Sequence, residues 1–424
     1  MVTIIIFLFV ILTFISLRIS FYLSSYQDNR VNLSPILLFT LLQVSMVNIG
    51  LLISVIGDQN YYGQFLIILL STFFINLGAF IIGKPKPIPI SRTYNQSIFN
   101  KIILLVGYIM VVIILIFLLR DIIFYFIQFI KESISGNVIG AITILAESRR
   151  DFSFSGGGNG IVTEFKNVIL VFLTIYICST NFKWYFKSII VAITILFLLS
   201  TGQRWPLFEA LLVYIVFITY SKKVYFNKKK ISFYGLIAYL FFFVISYFTP
   251  RFAMSENIVN NIILNFEAVN YRLFVSQNRT SLYIFDLIPN SLDFGWGKYI
   301  LKDLSTLFPG YQEGFSSFIY KLTHSGKAGS ASFSSLTGFY ADFAYFAPIV
   351  SFAYGMLIQF YSKLIFLKSI SHHRIIFHSF LVVAISTTSL GSIVGIITHG
   401  LLSSFLLFKL LSLCLKPKKY NSLL

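Results

Sequence analysis

Ile102-Ile103-Leu104-Leu105-Val106-Gly107-Tyr108-Ile109-Met110-Val111-Val112-Ile113-Ile114-Leu115-Ile116-Phe117-Leu118-Leu119 runs for 18 residues between Lys101 and Arg120 without one charged or amide side chain. As a helix it measures about 27 Å, close to the roughly 30 Å of a bilayer's hydrocarbon core. It is apolar on every side, so it has no face to turn to water. Ten further runs follow the same rule: Val2–Leu17, Leu33–Ile56, Gln64–Ile82, Ile161–Thr180, Phe186–Thr201, Pro206–Tyr220, Ile231–Phe248, Leu336–Tyr361, Ile375–Leu390 and Ile393–Leu413. In lipid the backbone must satisfy its own hydrogen bonds, and the loops lack the alternation of a barrel, so each run is expected to be a helix. The expected fold is an all-α polytopic membrane protein with about eleven spans.

Composition agrees. Of 424 residues, 57% are hydrophobic and only 11% charged, with mean hydropathy +0.83, which excludes a soluble domain. The net charge of +18 invites a polyanion partner such as nucleic acid until its distribution is read. Six short segments hold the bases: Arg18 and Arg30; Lys84, Lys86, Arg92 and Lys101; Lys183 and Lys187; Lys222, Lys223, Lys228, Lys229 and Lys230; Lys363, Lys368 and Arg374; Lys409, Lys416, Lys418 and Lys419. Asp28 is the single acid among them, and the remaining chain is almost neutral. Short cytoplasmic loops hold the positive excess, so the C-terminus is expected inside and, with an odd span number, the N-terminus outside. The net charge therefore records insertion, and nucleic acid is not an expected partner.

The first span has no basic leader and no small-residue cleavage site, so it reads as retained. Cys178 and Cys414 fall near span ends and offer no disulfide framework. The sixth and seventh runs are short enough to form a single re-entrant hairpin instead. Two long outer connections stand out, 120–160 and 249–335. The second, rich in aromatics and amphipathic runs such as Ser281–Pro289, reads as a folded cap on the membrane surface.

Absences narrow the chemistry. No G-x-x-x-x-G-K-[ST] loop occurs, no Asp-x-Asp pair for a metal-held nucleotide sugar, and no zinc spacing, so neither metal nor cofactor is expected. Gly156-Gly157-Gly158-Asn159-Gly160 reads as a hinge. What remains are outer arginines and one outer histidine. Arg204 ends Ser200-Thr201-Gly202-Gln203-Arg204 between two short spans that draw it toward the membrane interior. There an unpaired cation costs at least about 2.5–3.5 kcal/mol and seeks an anion, with Glu209 or lipid headgroups as the plain alternative. Arg149 and Arg150 suit a phosphate clamp, or ion pairs with Asp151. Arg272 and Arg279 are seven residues apart, nearly two helical turns, and so are expected on one face, either a substrate face or a solvated one. Arg251 reads as an interface anchor. His324 is suited to proton transfer or is an ordinary loop residue. Asp342, two turns into a span, reads as pairing with an outer arginine.

Three local patterns resemble the bacterial O-antigen and capsular repeat-unit polymerases of the Wzy type: Ser200-Thr201-Gly202-Gln203-Arg204, Ser148-Arg149-Arg150 before a glycine-rich turn, and Gly338-Phe339-Tyr340-Ala341-Asp342-Phe343-Ala344, in which Ala344 stands where glycine is expected. The resemblance covers most of the chain as a layout of spans with one large outer loop in the second half. It implies a metal-independent glycosyltransferase of the GT-C-like type in the bacterial inner membrane. The enzyme would join undecaprenyl-diphosphate-linked oligosaccharides into O-antigen or capsule, with a chain-length regulator as a possible partner. Arg204 with Arg149 or Arg150 would hold one diphosphate, Arg272 and Arg279 the second or the glycan, and His324 would take the acceptor proton, with Tyr340 and Asp342 supporting. O-antigen ligase and lipid-linked oligosaccharide flippase are the alternatives. A flippase is expected to carry charges inside its spans, whereas here the ionisable residues gather at span ends and in outer loops, Asp342 being the main exception.

Overall fold

A computed structural model describes residues 2–25, 30–85, 98–135, 137, 140–141, 143–144, 147, 159–200, 205–222, 226–227, 231–248, 258–307, 313–324, 333–365, 372–397 and 401–414. The chain is an all-α membrane protein. Among the described residues the only strands are Arg30–Val31 and Phe226–Asn227, two residues each, paired antiparallel. Seven helices are long and apolar enough to cross a bilayer: Val2–Ser24, Pro35–Ile56, Gln59–Ile82, Asn100–Leu118, Val162–Ser179, Ser335–Leu364 and His373–Leu390. Trp184–Ser200, Trp205–Ser221 and Leu402–Cys414 are shorter apolar helices, and Ile231–Phe248 fills the remaining run. The Asn100–Leu118 helix leaves Ile109, Met110, Ile113, Ile116 and Phe117 exposed, as expected of a surface solvated by lipid. Arg120–Ile134 continues from it as a helix that exposes Phe124, Ile127, Ile130 and Ile134, so part of the 120–160 connection is itself ordered and amphipathic.

Described residues in or beside each of the six basic segments contact one another at one end of the bundle. Arg30 pairs with Asn227, Lys84 Nζ donates to Ser25 Oγ (3.3 Å), and Lys101 Nζ to the Asn181 carbonyl (3.3 Å). Gln359 Nε2 donates to the Gly83 carbonyl (2.9 Å), Tyr176 meets His373 edge-on, and His373 packs on Phe408. Tyr220, near the end of the seventh run, donates to the Leu33 carbonyl (3.1 Å), which sets that end beside the start of the second span.

Two hydrophobic cores share the bundle, one built on the fourth to seventh and tenth spans, the other on the first to third and ninth; Tyr361 and Phe377 pack against both. The second core contains a buried polar ladder. Thr40 donates to Asn76 (3.0 Å), Gln43 to Asn48 (3.0 Å), Asn48 to Thr72 (3.1 Å), and Ser334 to Gln43 (2.8 Å). The π-turn Gln43–Asn48 carries two members of this ladder, and each buried amide finds a partner that lipid cannot offer.

The third span and Ala347–Ile365 pack backbone to backbone. A Cβ on Gly78 would lie 2.1 Å from the Phe352 carbonyl oxygen, and one on Gly355 2.0 Å from that of Ile75. Gly107 has nothing within 4 Å of its would-be Cβ. Gly355→Ala is therefore expected to destabilise the protein in detergent by about 1–3 kcal/mol while Gly107→Ala leaves it within about 1 kcal/mol. Thermal unfolding of the purified variants reads this; equal melting temperatures would contradict the packing.

Candidate functional site

The 249–335 connection is helical where described: Ile258–Asn270, a π-turn at Tyr271–Ser276, then Gln277–Leu287, Lys298–Ser305 and Phe315–Thr323. Its first helix does not stand clear of the bundle. Asn265 Nδ2 donates to the Phe243 carbonyl (3.1 Å) and Tyr239 Oη to Asn270 (3.3 Å), both across to Ile231–Phe248. Further on, Asn278 Nδ2 donates to the Met46 carbonyl (2.9 Å), and the second span admits it only at Gly50, where a Cβ would lie 2.1 Å from Asn278 Nδ2. The surface cap anticipated from sequence is thus anchored laterally into the spans.

Two buried carboxylates set the rest. The ninth span is broken: Ser335–Phe343 ends at Ala344, whose φ of 52° is a conformation that favours glycine, and Ala347–Ile365 follows. Two residues before Ala344, Asp342 is fully buried and accepts from the backbone N–H of Gly297, Tyr299 and Ile300, each at 3.0 Å. Its partner is therefore the N-terminus of Lys298–Ser305, not the arginine expected, because three converging N–H donors at a helix start neutralise a carboxylate. That helix carries Asp303, whose Oδ1 accepts from Phe315 N (2.7 Å) and so anchors the start of Phe315–Thr323. Burial raises the Asp303 pKa, and hydrogen bonds from the Ser392 hydroxyl and the Phe315 N–H oppose the rise. Tyr299 stacks on Phe315 at 4.2 Å between the two helices. Tyr340 is core: it packs edge-on to Phe285 and Phe294 and donates to the Ile288 carbonyl (3.3 Å).

At the far end of this relay His324 forms the C-cap of Phe315–Thr323. Its Nδ1 lies 3.1 Å from the Tyr320 carbonyl and 2.9 Å from Thr323 Oγ1. Thr323 directs its own proton at the Ile319 carbonyl (2.9 Å), so both neighbours of Nδ1 are acceptors. These contacts favour the tautomer that carries its hydrogen on Nδ1. The ring stacks flat on Tyr320 (4.0 Å, 6°) and meets Tyr283 edge-on (6.0 Å, 89°). Arg279 lies over the face of the same Tyr283 at 5.7 Å. Arg279 and His324, from different helices, thus both pack against Tyr283.

Arg272 does not join them. It sits in the π-turn, which needs more residues per turn than an α-helix, so seven residues no longer return to the same face as Arg279. Arg272 and Arg279 are both exposed. Arg149, Arg150, Arg204 and Arg251 lie outside the described residues.

Two further ionisable residues within a span, Glu164 and Lys166, escaped the sequence reading. Lys166 is fully buried in a π-turn, Phe165–Ile169, inside the fifth span. Glu164 precedes it, and Glu209 sits four residues past the start of Trp205–Lys222. Ionisable groups therefore do occur within spans besides Asp342. The signal was in plain view: three charges inside runs otherwise free of them.

No family model matches the chain, nor does any curated protein or solved structure.

Two outcomes follow from this geometry. Asp342→Ala, which strands three N–H donors, is expected to cost about 3 kcal/mol or more, and Asp342→Asn distinctly less because it keeps an acceptor. Ala344→Gly is expected to stabilise by about 1 kcal/mol through relief of backbone strain. Both are read as shifts in melting temperature, and a destabilising Ala344→Gly would contradict the assigned conformation.

Proposed function

We propose that the chain is a metal-independent glycosyltransferase that polymerises undecaprenyl-diphosphate-linked repeat units on the outer face of the bacterial inner membrane. The observation that carries this reading is the convergence of Arg279 and His324 on Tyr283, with contacts that favour an imidazole lone pair on Nε2. Transfer of a glycan from a lipid diphosphate builds negative charge on the leaving group and releases a proton from the acceptor hydroxyl. An arginine answers the first need and a basic imidazole the second. The contacts among described residues in or beside all six basic segments at one end support an orientation with that end in the cytoplasm and the long connections outside. The positive φ of Ala344 supports the resemblance as well, since it falls where the polymerases carry glycine. Arg204, with Arg149 or Arg150, is assigned to the donor diphosphate on the resemblance alone.

Ligation of a finished glycan uses the same chemistry and is the nearest alternative. Transport is a second reading, favoured by Glu164, Lys166 and Glu209 within the spans. The purified protein, incubated with an undecaprenyl-diphosphate repeat unit, is expected to yield a ladder of polymers. Arg204→Ala and His324→Gln are each expected to abolish it, whereas a normal ladder from either variant removes that residue from the mechanism. Transfer only to lipid A core would mark a ligase, and unaltered substrate would favour transport.

A further inference from the structure

The lipid-facing stripe of the fourth span does not stop where the apolar run stops. In Asn100–Leu118 the exposed residues Ile109, Ile113 and Ile116 recur every three or four positions, while Leu104, Tyr108, Val111 and Leu115 on the other side are buried in the first hydrophobic core. A single turn residue, Leu119, separates this helix from Arg120–Ile134. Hydrogen bonds of helical spacing run across the junction: Leu119 N donates to the Leu115 carbonyl (2.8 Å) and Ile123 N to that of Leu119 (2.7 Å). Helical phase is therefore carried over. Beyond the junction the exposed stripe resumes as Phe124, Ile127, Ile130 and Ile134, each at least 40% exposed. The buried stripe ends instead. Leu119 and Ile122 still join the first core, but no described side chain of the helix after Ile122 is buried. The helix thus parts from the bundle after its first turn and keeps the face that lipid solvates.

Carried straight on, its 15 residues would add about 22 Å and lift four large apolar side chains into water. Tipped away from the bundle at Leu119, it turns the same stripe down onto the bilayer, because the face that points outward on an upright helix points to the membrane once the axis leans outward. Asp121, Gln128 and Glu132 then lie on the upper side, where Glu132 accepts from Asn137 Nδ2 (2.7 Å). Arg120 and Lys131, at the border of the stripe, have side chains long enough to carry their charges up to the headgroups.

We propose that Arg120–Ile134 is an interfacial helix, with Phe124, Ile127, Ile130 and Ile134 seated at the boundary between headgroups and acyl chains. Its partner is phospholipid. The contact is apolar rather than electrostatic, since Arg120 and Lys131 offset Asp121 and Glu132. The inference is independent of the reaction proposed above.

Spin labelling of the full chain in phosphatidylcholine nanodiscs reads the depth of this face. With Cys178→Ser and Cys414→Ser removing both native cysteines, nitroxides are attached one at a time at Phe124→Cys, Ile127→Cys, Ile130→Cys, Gln128→Cys and Glu132→Cys. Thermal unfolding like that of the parent shows each labelled chain to be folded. Oxygen, which concentrates among acyl chains, is expected to relax the labels replacing Phe124, Ile127 and Ile130 more than the water-soluble reagent NiEDDA does, with the order reversed for Gln128 and Glu132. The same pattern is expected when phosphatidylglycerol is added or salt is raised. Relaxation dominated by NiEDDA at Phe124, Ile127 and Ile130 would place the face in water. Exclusion of both reagents there would place it against protein, a second copy being marked by spin–spin broadening. Either outcome overturns the proposal, as does a pattern that forms only in anionic lipid.

Discussion

The acceptance of three backbone N–H groups by the Asp342 carboxylate is the interaction on which the large connection depends. An ion buried at membrane depth requires compensation, and the start of Lys298–Ser305 supplies it through fixed dipoles rather than a mobile cation. That docking sets the position of Asp303, which holds the start of Phe315–Thr323 in the same manner. Two successive helices are thereby aimed by carboxylates, and His324 lies at the end of the second. Lys298–Ser305 and Phe315–Thr323 are thereby tied to the break in the ninth span.

Much of this frame was legible in the chain and some was hidden for physical reasons. The charge segregation identified six segments, and contacts among described residues in or beside them fall at one end of the bundle. Helix placement followed from apolar runs because lipid leaves the backbone no other choice. Asp342 was visible as an intramembrane charge, but its partners were not, since backbone donors leave no trace in side-chain identity. Asp303 gave no signal at all for the same reason. The π-turn at Tyr271–Ser276 defeated the estimate that Arg272 and Arg279 share a face, because helical phase was counted at a constant residue number per turn. Lys166 was the readable clue that was passed over: a lysine inside an apolar run is an expense no stable span carries without cause.

The two polar constellations differ in chemistry. Around His324 and Arg279 lie aromatic rings, a cation and a basic nitrogen, suited to a diphosphate and a proton. Glu164 and Glu209 instead line one small cavity within the spans, held by the Ser403 hydroxyl and the Trp205 indole N–H.

The most direct test of glycosyl transfer from a lipid diphosphate is the stoichiometry of undecaprenyl diphosphate released per glycosidic linkage formed, measured with the purified protein in a chelator. The account predicts one released for each linkage. Movement of intact lipid-linked substrate across a vesicle membrane, with none released, would contradict it.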